Sequence, residues 1–398
     1  MTCGASITFD EAVAVLQREA QPLGVETTQL STAGRRVLAE AVHARIDAPR
    51  YSAAAMDGFA VSAAESAGGA CRVLGASYPG EPWLGRLKAG EAVRIMTGAA
   101  APAGACRIIP LELVEENSGI LSLPQVWPAK SHIRHKGCDI KIGQIMLAAG
   151  TLLDPRALLV AAAADVATVQ TWRRPIVSVL ASGDELVSPG KATELDYTIP
   201  DSLSEAILLL SRQYGAKPGS AALVADTRNA ILAAAETMMS DCDVLVLIGG
   251  ASRGDRDFAK AGLRPLGLDV RFSDVAMKPG KPVWYGRIGA KHIIGLPGNP
   301  TAALTTARLI LAPLLRALEG RDLRSALNWQ AMPLKNCPEL IATRESFLCG
   351  TIEDGSVEIL KSQSASSQLM LARANVLVRV PANQPTCAAG SVINALKF

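Results

Sequence analysis

Residues 243–258, DVLVLIGGASRGDRDF, constrain the fold most: an unbroken apolar run stops at paired glycines and gives way to alternating charges. Val244, Leu245, Val246, Leu247 and Ile248 suit a strand covered on both faces, as in a parallel sheet flanked by helices. Gly249 and Gly250 let the backbone turn sharply and approach a ligand closely, because neither carries a Cβ. Ser252, Arg253, Asp255, Arg256 and Asp257 follow, in the place where ligands bind an open α/β sheet, just beyond the carboxyl ends of its strands. The plain alternative for this stretch is a strand followed by a solvated turn.

The neighbouring sequence extends the pattern. From Pro175 to about residue 320, apolar runs of strand length (176–181, 243–248 and 292–296) alternate with helical patterns (204–213, 227–239 and 301–318). That alternation predicts a parallel sheet with helices on its faces. Near the N-terminus, Thr8 and Glu11 form a capping-box pattern, with Phe9, Val13, Leu16 and Ala20 at helical spacing. Residues 62–145 hold short apolar runs such as 92–95 and 108–113 between Gly, Pro and Ser, which reads as a small β-rich domain. The chain then returns through an apolar helix near 156–165. Beyond Gly320, short strands including 357–360 and 376–380 predict a closing β domain. The expected class is multidomain α/β plus β. Its expected domains are 1–50 with 146–174, then 51–145, 175–325 and 326–398.

Composition narrows the function classes. A net charge of +3 on 398 residues, without a long basic run, gives no case for a nucleic-acid surface. The eight cysteines are dispersed without a CxxC pair, so free thiols in a reducing cytoplasm are the simpler reading. Asp10 and Glu11 stand where a secretory signal would need an apolar core, and Asp165 interrupts the apolar stretch 158–169. A cytoplasmic protein with no membrane partner is expected.

Three strand ends in the α/β segment carry polar clusters. ASGDELV (181–187) supplies Asp184 and Glu185, GGASRGDRD (249–257) is the second, and LPGNP (296–300) is the third. In the third, Asn299 suits an N-cap and Pro300 a first helical position, so the free N–H groups of that helix would favour an anion. Lys278 and Lys281, on a turn stiffened by Pro279, could meet phosphates or an oxyanion, although a solvated surface turn explains them too. Asp184, Glu185, Asp255 and Asp257 are candidates for Mg2+, which takes few direct protein ligands. Helix capping accounts for Asp201-Ser202, through a Ser202/Glu205 capping box, and for Asp226. Asp57-Gly58 reads as a turn. His132 and His135 have nothing nearby to complete a metal site.

Taken together, AAAMDGFAV (53–61), RIMTGAAAP (94–102), IRHKGCDIKIGQ (133–144), ASGDELV, GGASRGDRD, MKPGKP (277–282) and GLPGNPTAA (295–303) resemble the molybdopterin molybdenumtransferase family. This family is called MoeA in bacteria and is related to the gephyrin E domain; the resemblance runs from about residue 8 to the C-terminus. It implies insertion of molybdate into the dithiolene of adenylylated molybdopterin, with Mg2+-assisted release of AMP. It also implies a homodimer of elongated, four-domain subunits with its active site in an inter-subunit cleft. The segment 175–325 would be a three-layer molybdopterin-binding domain and the C-terminal domain barrel-like. Contacts with the adenylyl-transfer protein and with molybdoenzyme delivery factors follow from the same resemblance.

On matching positions, Asp57, Asp139, Glu185, Asp226 and Asp257 would be the catalytic acidic groups, with Glu185 and Asp257 at Mg2+. Thr97, Gly249, Gly250, Ser252, Arg253, Lys278, Lys281, Pro297, Gly298, Asn299 and Pro300 would bind substrate. The chain departs from the family at Leu203, where an amide is usual, at Arg253, where a small apolar residue is usual, and at Ser52-Ala53-Ala54. The alternative is a non-catalytic protein of the same fold that binds or delivers molybdopterin or the finished cofactor.

Overall fold

The computed structural model describes residues 6–249, 258–336, 343–383 and 389–398. They form two compact units, Thr27–Gln170 and the pair Met1–Glu26 with Thr171–Phe398.

The second of these units is built on a six-stranded sheet. Its order is Lys217–Val224, Ile176–Ser182, Val244–Ile248, Lys291–Leu296, Trp284–Ile288 and Asp269–Ser273. The first four strands run parallel, Trp284–Ile288 runs against Lys291–Leu296, and Asp269–Ser273 runs against Trp284–Ile288. Val244–Ile248 is central and buried at all five positions. Val244, Val246 and Ile248 enter one apolar core, whereas Leu245 and Leu247 enter another on the opposite face. Burial on both faces is why its sequence does not alternate.

Helices cover both faces, as the alternation predicts. Ser204–Gln213 contributes Ile207 and Leu210 to the first core, and Arg228–Met239 contributes Ile231 and Ala235 to the second. The expected helix 301–318 is Pro300–Leu318, and among the described residues it alone is long and apolar enough to cross a membrane. Since 89% of its apolar window is buried, it is a core helix. A π-turn at Ala307–Leu311 precedes Pro313, whose missing N–H cannot continue the regular ladder. Arg308 on that turn is buried; its Nε donates to the Lys397 carbonyl at 3.0 Å and its Nη1 to the Ala326 carbonyl at 2.8 Å.

The C-terminal strands form a second sheet, with Glu345–Glu353, Val376–Val380, Val392–Lys397 and Gln330–Pro333 in sequence across it. Met277–Lys278 pairs in parallel with Glu345–Glu353, so the α/β segment lends this sheet an edge. The first helix, Phe9–Glu19, starts with the expected Thr8/Glu11 capping box. It packs against this unit: Phe9 meets Phe347 edge-on with ring centroids 5.0 Å apart. The expected grouping placed residues 1–50 with 146–174; an amphipathic pattern identifies a buried face but not its partner.

The Thr27–Gln170 unit holds a six-stranded sheet ordered Ala105–Pro110, Gly58–Ser62, Glu91–Ile95, Ala70–Ser77, Ile120–Ser122 and Glu115–Asn117. Phe59 and Val61 pack on one face and Ala60 on the other. The helix Pro155–Ala163, capped by Asp154, packs on Ala33, Leu38 and Val42 outside that sheet.

Arg173 fastens the start of the central strand. Its two terminal nitrogens donate to the two oxygens of Asp243 at 2.8 Å each, and the Ile176 N–H donates to the same carboxylate. Burial works against the charged form, but the Arg173 guanidinium and the Ile176 N–H outweigh it and hold Asp243 below the usual carboxylate range. A depressed carboxylate stabilises the fold above its unfolded pKa, and that contribution is lost as pH falls through its folded value. Asp243→Asn is therefore expected to cost about 2 kcal/mol at neutral pH. In urea denaturation the gap from the parent protein should narrow below about pH 4.

Candidate functional site

A cavity of about 570 Å3 opens at the carboxyl ends of Ile176–Ser182 and Val244–Ile248. Ser182, Glu185, Ile248 and Gly249 form its strand-end wall. Asp201, Ser202 and Leu203 form a second wall, and Gly298, Asn299 and Pro300 a third. Ser366 and Gln368 close it from the C-terminal segment. Of the expected site residues, Glu185, Gly249, Gly298, Asn299 and Pro300 thus come together.

Gly249 must be glycine. Its φ is 91°, and a Cβ there would stand 2.5 Å from the Ser182 carbonyl oxygen. A Cβ on Gly298 would stand 3.9 Å from the Gly249 Cα, so the two strand-end loops adjoin. Gly250, Ser252, Arg253, Asp255 and Asp257 lie outside the described residues.

Two capping expectations are corrected. Ser202 makes no capping box: Leu203 occupies the N-cap without a side-chain bond, and Asp201 Oδ1 accepts from the N–H groups of Leu203 at 3.0 Å and Ser204 at 3.1 Å. Asp226 is not a cap either, since Thr227 holds that place and accepts from the Ala230 N–H. Instead the Asp226 N–H donates to Asp184 Oδ1 at 3.0 Å, and Ser182 Oγ lies 3.4 Å from Asp226 Oδ1. Asp226 therefore stands behind a cavity residue rather than in the wall.

A third correction concerns the helix that LPGNP opens. Asn299 is at the N-cap but makes no side-chain cap bond, and Pro300 has no N–H to give. The next two N–H groups, of Thr301 and Ala302, both donate to the Ala365 carbonyl, at 2.9 and 3.3 Å. The terminus that sequence reasoning offered to an anion is already satisfied by a backbone oxygen. Pro297 is buried behind it.

The segment that supplies this oxygen is well anchored. Gln363 Oε1 accepts from the Cys349 N–H, while its Nε2 donates to the carbonyls of Cys349 and Leu360. Thr301 Oγ1 donates to the Ser367 carbonyl at 3.1 Å. Sequence reasoning missed Ser366 and Gln368, whose one visible signal is the polar run SQSASSQ (362–368) between two strands.

Lys278 and Lys281 lie on the expected turn, outside the cavity wall. Gly280 between them has φ 103°, and a Cβ there would collide with the Thr306 methyl at 2.2 Å, so the turn sits against the long helix. Among the described residues, no group of three His, Cys, Asp or Glu side chains could hold a metal ion.

Asp57, Thr97 and Asp139 belong to the Thr27–Gln170 unit. Asp57 is more than a turn residue: its Oδ1 accepts both the N–H and the hydroxyl of Thr97 at 2.7 Å. These two donors hold its carboxyl below the usual range. Asp139 faces Arg134 at 3.7 Å, and both side chains are exposed.

Comparison with known proteins gives a consistent set. Residues 7–164 match the model of the MoeA N-terminal region (domain I and II), and residues 178–317 match that of a probable molybdopterin binding domain. The molybdopterin molybdenumtransferase of Haemophilus influenzae is 30% identical, covering 98% of this chain and 98% of its own. The Bacillus subtilis protein of the same name is 29% identical, covering 98% and 94%. A crystal structure of a molybdopterin biosynthesis MoeA protein from Pyrococcus horikoshii superposes with a TM-score of 0.84 at 27% identity, over 99% of both chains.

The close approach at Gly249 makes one substitution diagnostic. Gly249→Ala places a side chain at a left-handed φ and against a carbonyl, so a loss of about 2 kcal/mol is expected in chemical denaturation. A stability equal to the parent's would show that the loop relaxes without cost.

Proposed function

The chain belongs to the molybdopterin molybdenumtransferase family, and on that premise we propose that it inserts molybdate into adenylylated molybdopterin, with Mg2+-assisted release of AMP. The observation that carries the reading is the cavity at the strand ends, whose lining, apart from Ser366 and Gln368, comes from the stretch that matches a probable molybdopterin binding domain. In open α/β sheets such crevices are where ligands bind.

Glu185 fits a role at Mg2+. It is an exposed carboxylate in the cavity wall, on backbone held by the bond from the Ile199 N–H to its carbonyl. Mg2+ bound through substrate phosphates needs only one or two carboxylates, and Asp257 would be the other. When bound, the ion would offset the charge developing on the departing phosphate. Gly249 and Gly250 would let the backbone approach the substrate, with Ser252 and Arg253 donating to it. Lys278 and Lys281 would attract phosphate or molybdate as point charges. Pro297, Gly298, Asn299 and Pro300 would shape the wall, while the N–H groups of Thr301 and Ala302 that follow are taken by the Ala365 carbonyl. Asp226 would act through Ser182, Asp57 and Asp139 would be further catalytic carboxylates, and Thr97, bonded to Asp57, would be a substrate-binding hydroxyl. The same reading brings a cytoplasmic homodimer with the active site between its subunits, supplied by the adenylyl-transfer protein and serving molybdoenzyme delivery factors.

One observation favours the non-catalytic alternative: Leu203 puts an apolar side chain in the cavity wall where the family usually has an amide. The purified protein, adenylylated molybdopterin, molybdate and Mg2+ decide between the two. The transferase should release stoichiometric AMP and place molybdenum on the dithiolene, whereas tight pterin binding without either product identifies the carrier. Glu185→Gln and Asp257→Ala are each expected to slow AMP release about a hundredfold, the usual cost of losing one preorganised electrostatic group. Unchanged turnover in either variant removes that residue from the metal site.

A further inference from the structure

We propose that Asp201 reads the donor edge of a pterin ring held in the strand-end cavity. The choice of heterocycle rests on the reading of the chain as acting on adenylylated molybdopterin; the rest stands on the cavity itself.

Asp201 is fixed at one oxygen and available at the other. Its Oδ1 accepts the N–H groups of Leu203 and Ser204, at 3.0 and 3.1 Å, which orients the carboxylate without using Oδ2. A 2-amino-4-oxopterin presents its amino N–H and its ring N3–H side by side, a donor pair that suits a carboxylate acceptor. Placing that edge on an oriented group limits the ordering cost of binding.

The remaining wall fits a flat heterocycle better than an anion. Its charged groups among the described residues are two carboxylates, Glu185 and Asp201, with no cation. The N–H groups of Thr301 and Ala302, which would otherwise attract phosphate, are taken by the Ala365 carbonyl. Ile199, Leu203 and Ile248 give apolar surface for the ring faces, and the Asn299 and Gln368 amides give donors for the ring carbonyl. Glu185 is thereby left for the cation, and the phosphates for groups outside this wall.

The test compares two neutral probes, 6-hydroxymethylpterin and 6-hydroxymethyllumazine, in which a carbonyl replaces the 2-amino group. Binding is followed by their fluorescence, with AMP binding measured separately by dialysis. The parent protein should prefer the pterin by about tenfold or more, because the lumazine turns an acceptor toward Asp201. Asp201→Asn keeps an oxygen for the cap but replaces the free acceptor with a donor, so the preference should vanish while the urea midpoint holds. Ser202→Trp, at an exposed cavity position, should abolish pterin binding and spare AMP binding.

An equal pterin preference in the parent and Asp201→Asn proteins overturns the proposal, as does undiminished pterin binding by Ser202→Trp. AMP release from adenylylated molybdopterin is assayed alongside. A parent protein that selects the pterin but releases no AMP loses the transferase reading and retains this one.

Discussion

The double-sided burial of Val244–Ile248 is the constraint on which the site depends. A five-residue strand with one core on each face cannot slide by a residue without exchanging the side chains of both cores. Its parallel neighbours, Ile176–Ser182 and Lys291–Leu296, inherit that register, so the three strand ends emerge at fixed positions. The cavity is the space left where they stop. Gly249 is required by the same geometry, because the sheet brings the Ser182 carbonyl against its backbone.

What was legible in the sequence was what burial writes into composition. Strands covered on both faces appear as apolar runs, and the helices between them appear at their own period. Lys217–Val224 escaped notice because it is an edge strand, mostly exposed, whose sequence need not be apolar. The antiparallel pair Asp269–Ser273 and Trp284–Ile288 likewise lacks a long apolar run. Glu185, Gly249, Gly298, Asn299 and Pro300 line the cavity from three of the motifs, yet Ser366 and Gln368 reach it from a distant segment that carries no signal beyond polarity.

The corrected details share a physical origin. Local patterns name groups capable of a hydrogen bond but not the group that wins the competition for it. At Ser202, the neighbouring Asp201 carboxylate takes the two N–H groups. At Asp226, the adjacent Thr227 hydroxyl takes the capping role. Asp57 reads locally as a turn residue, and its bond to Thr97, forty residues on, forms because strands Gly58–Ser62 and Glu91–Ile95 pair. Such outcomes are settled by tertiary approach.

The strap at residues 363–368 adds an evolutionary consequence. The atom that neutralises the helix start is the peptide carbonyl of Ala365, present whatever side chain occupies the position. Single-residue replacement can leave that oxygen in place indefinitely, whereas a side-chain cap would disappear with one codon change. Lineages altering the ionic preference of this end of the cavity would have to change the length or path of the strap, or the Gln363 clasp that holds it. Divergence here should therefore be recorded as insertions and deletions between Glu345–Glu353 and Val376–Val380, more than as exchanges of one charged residue for another.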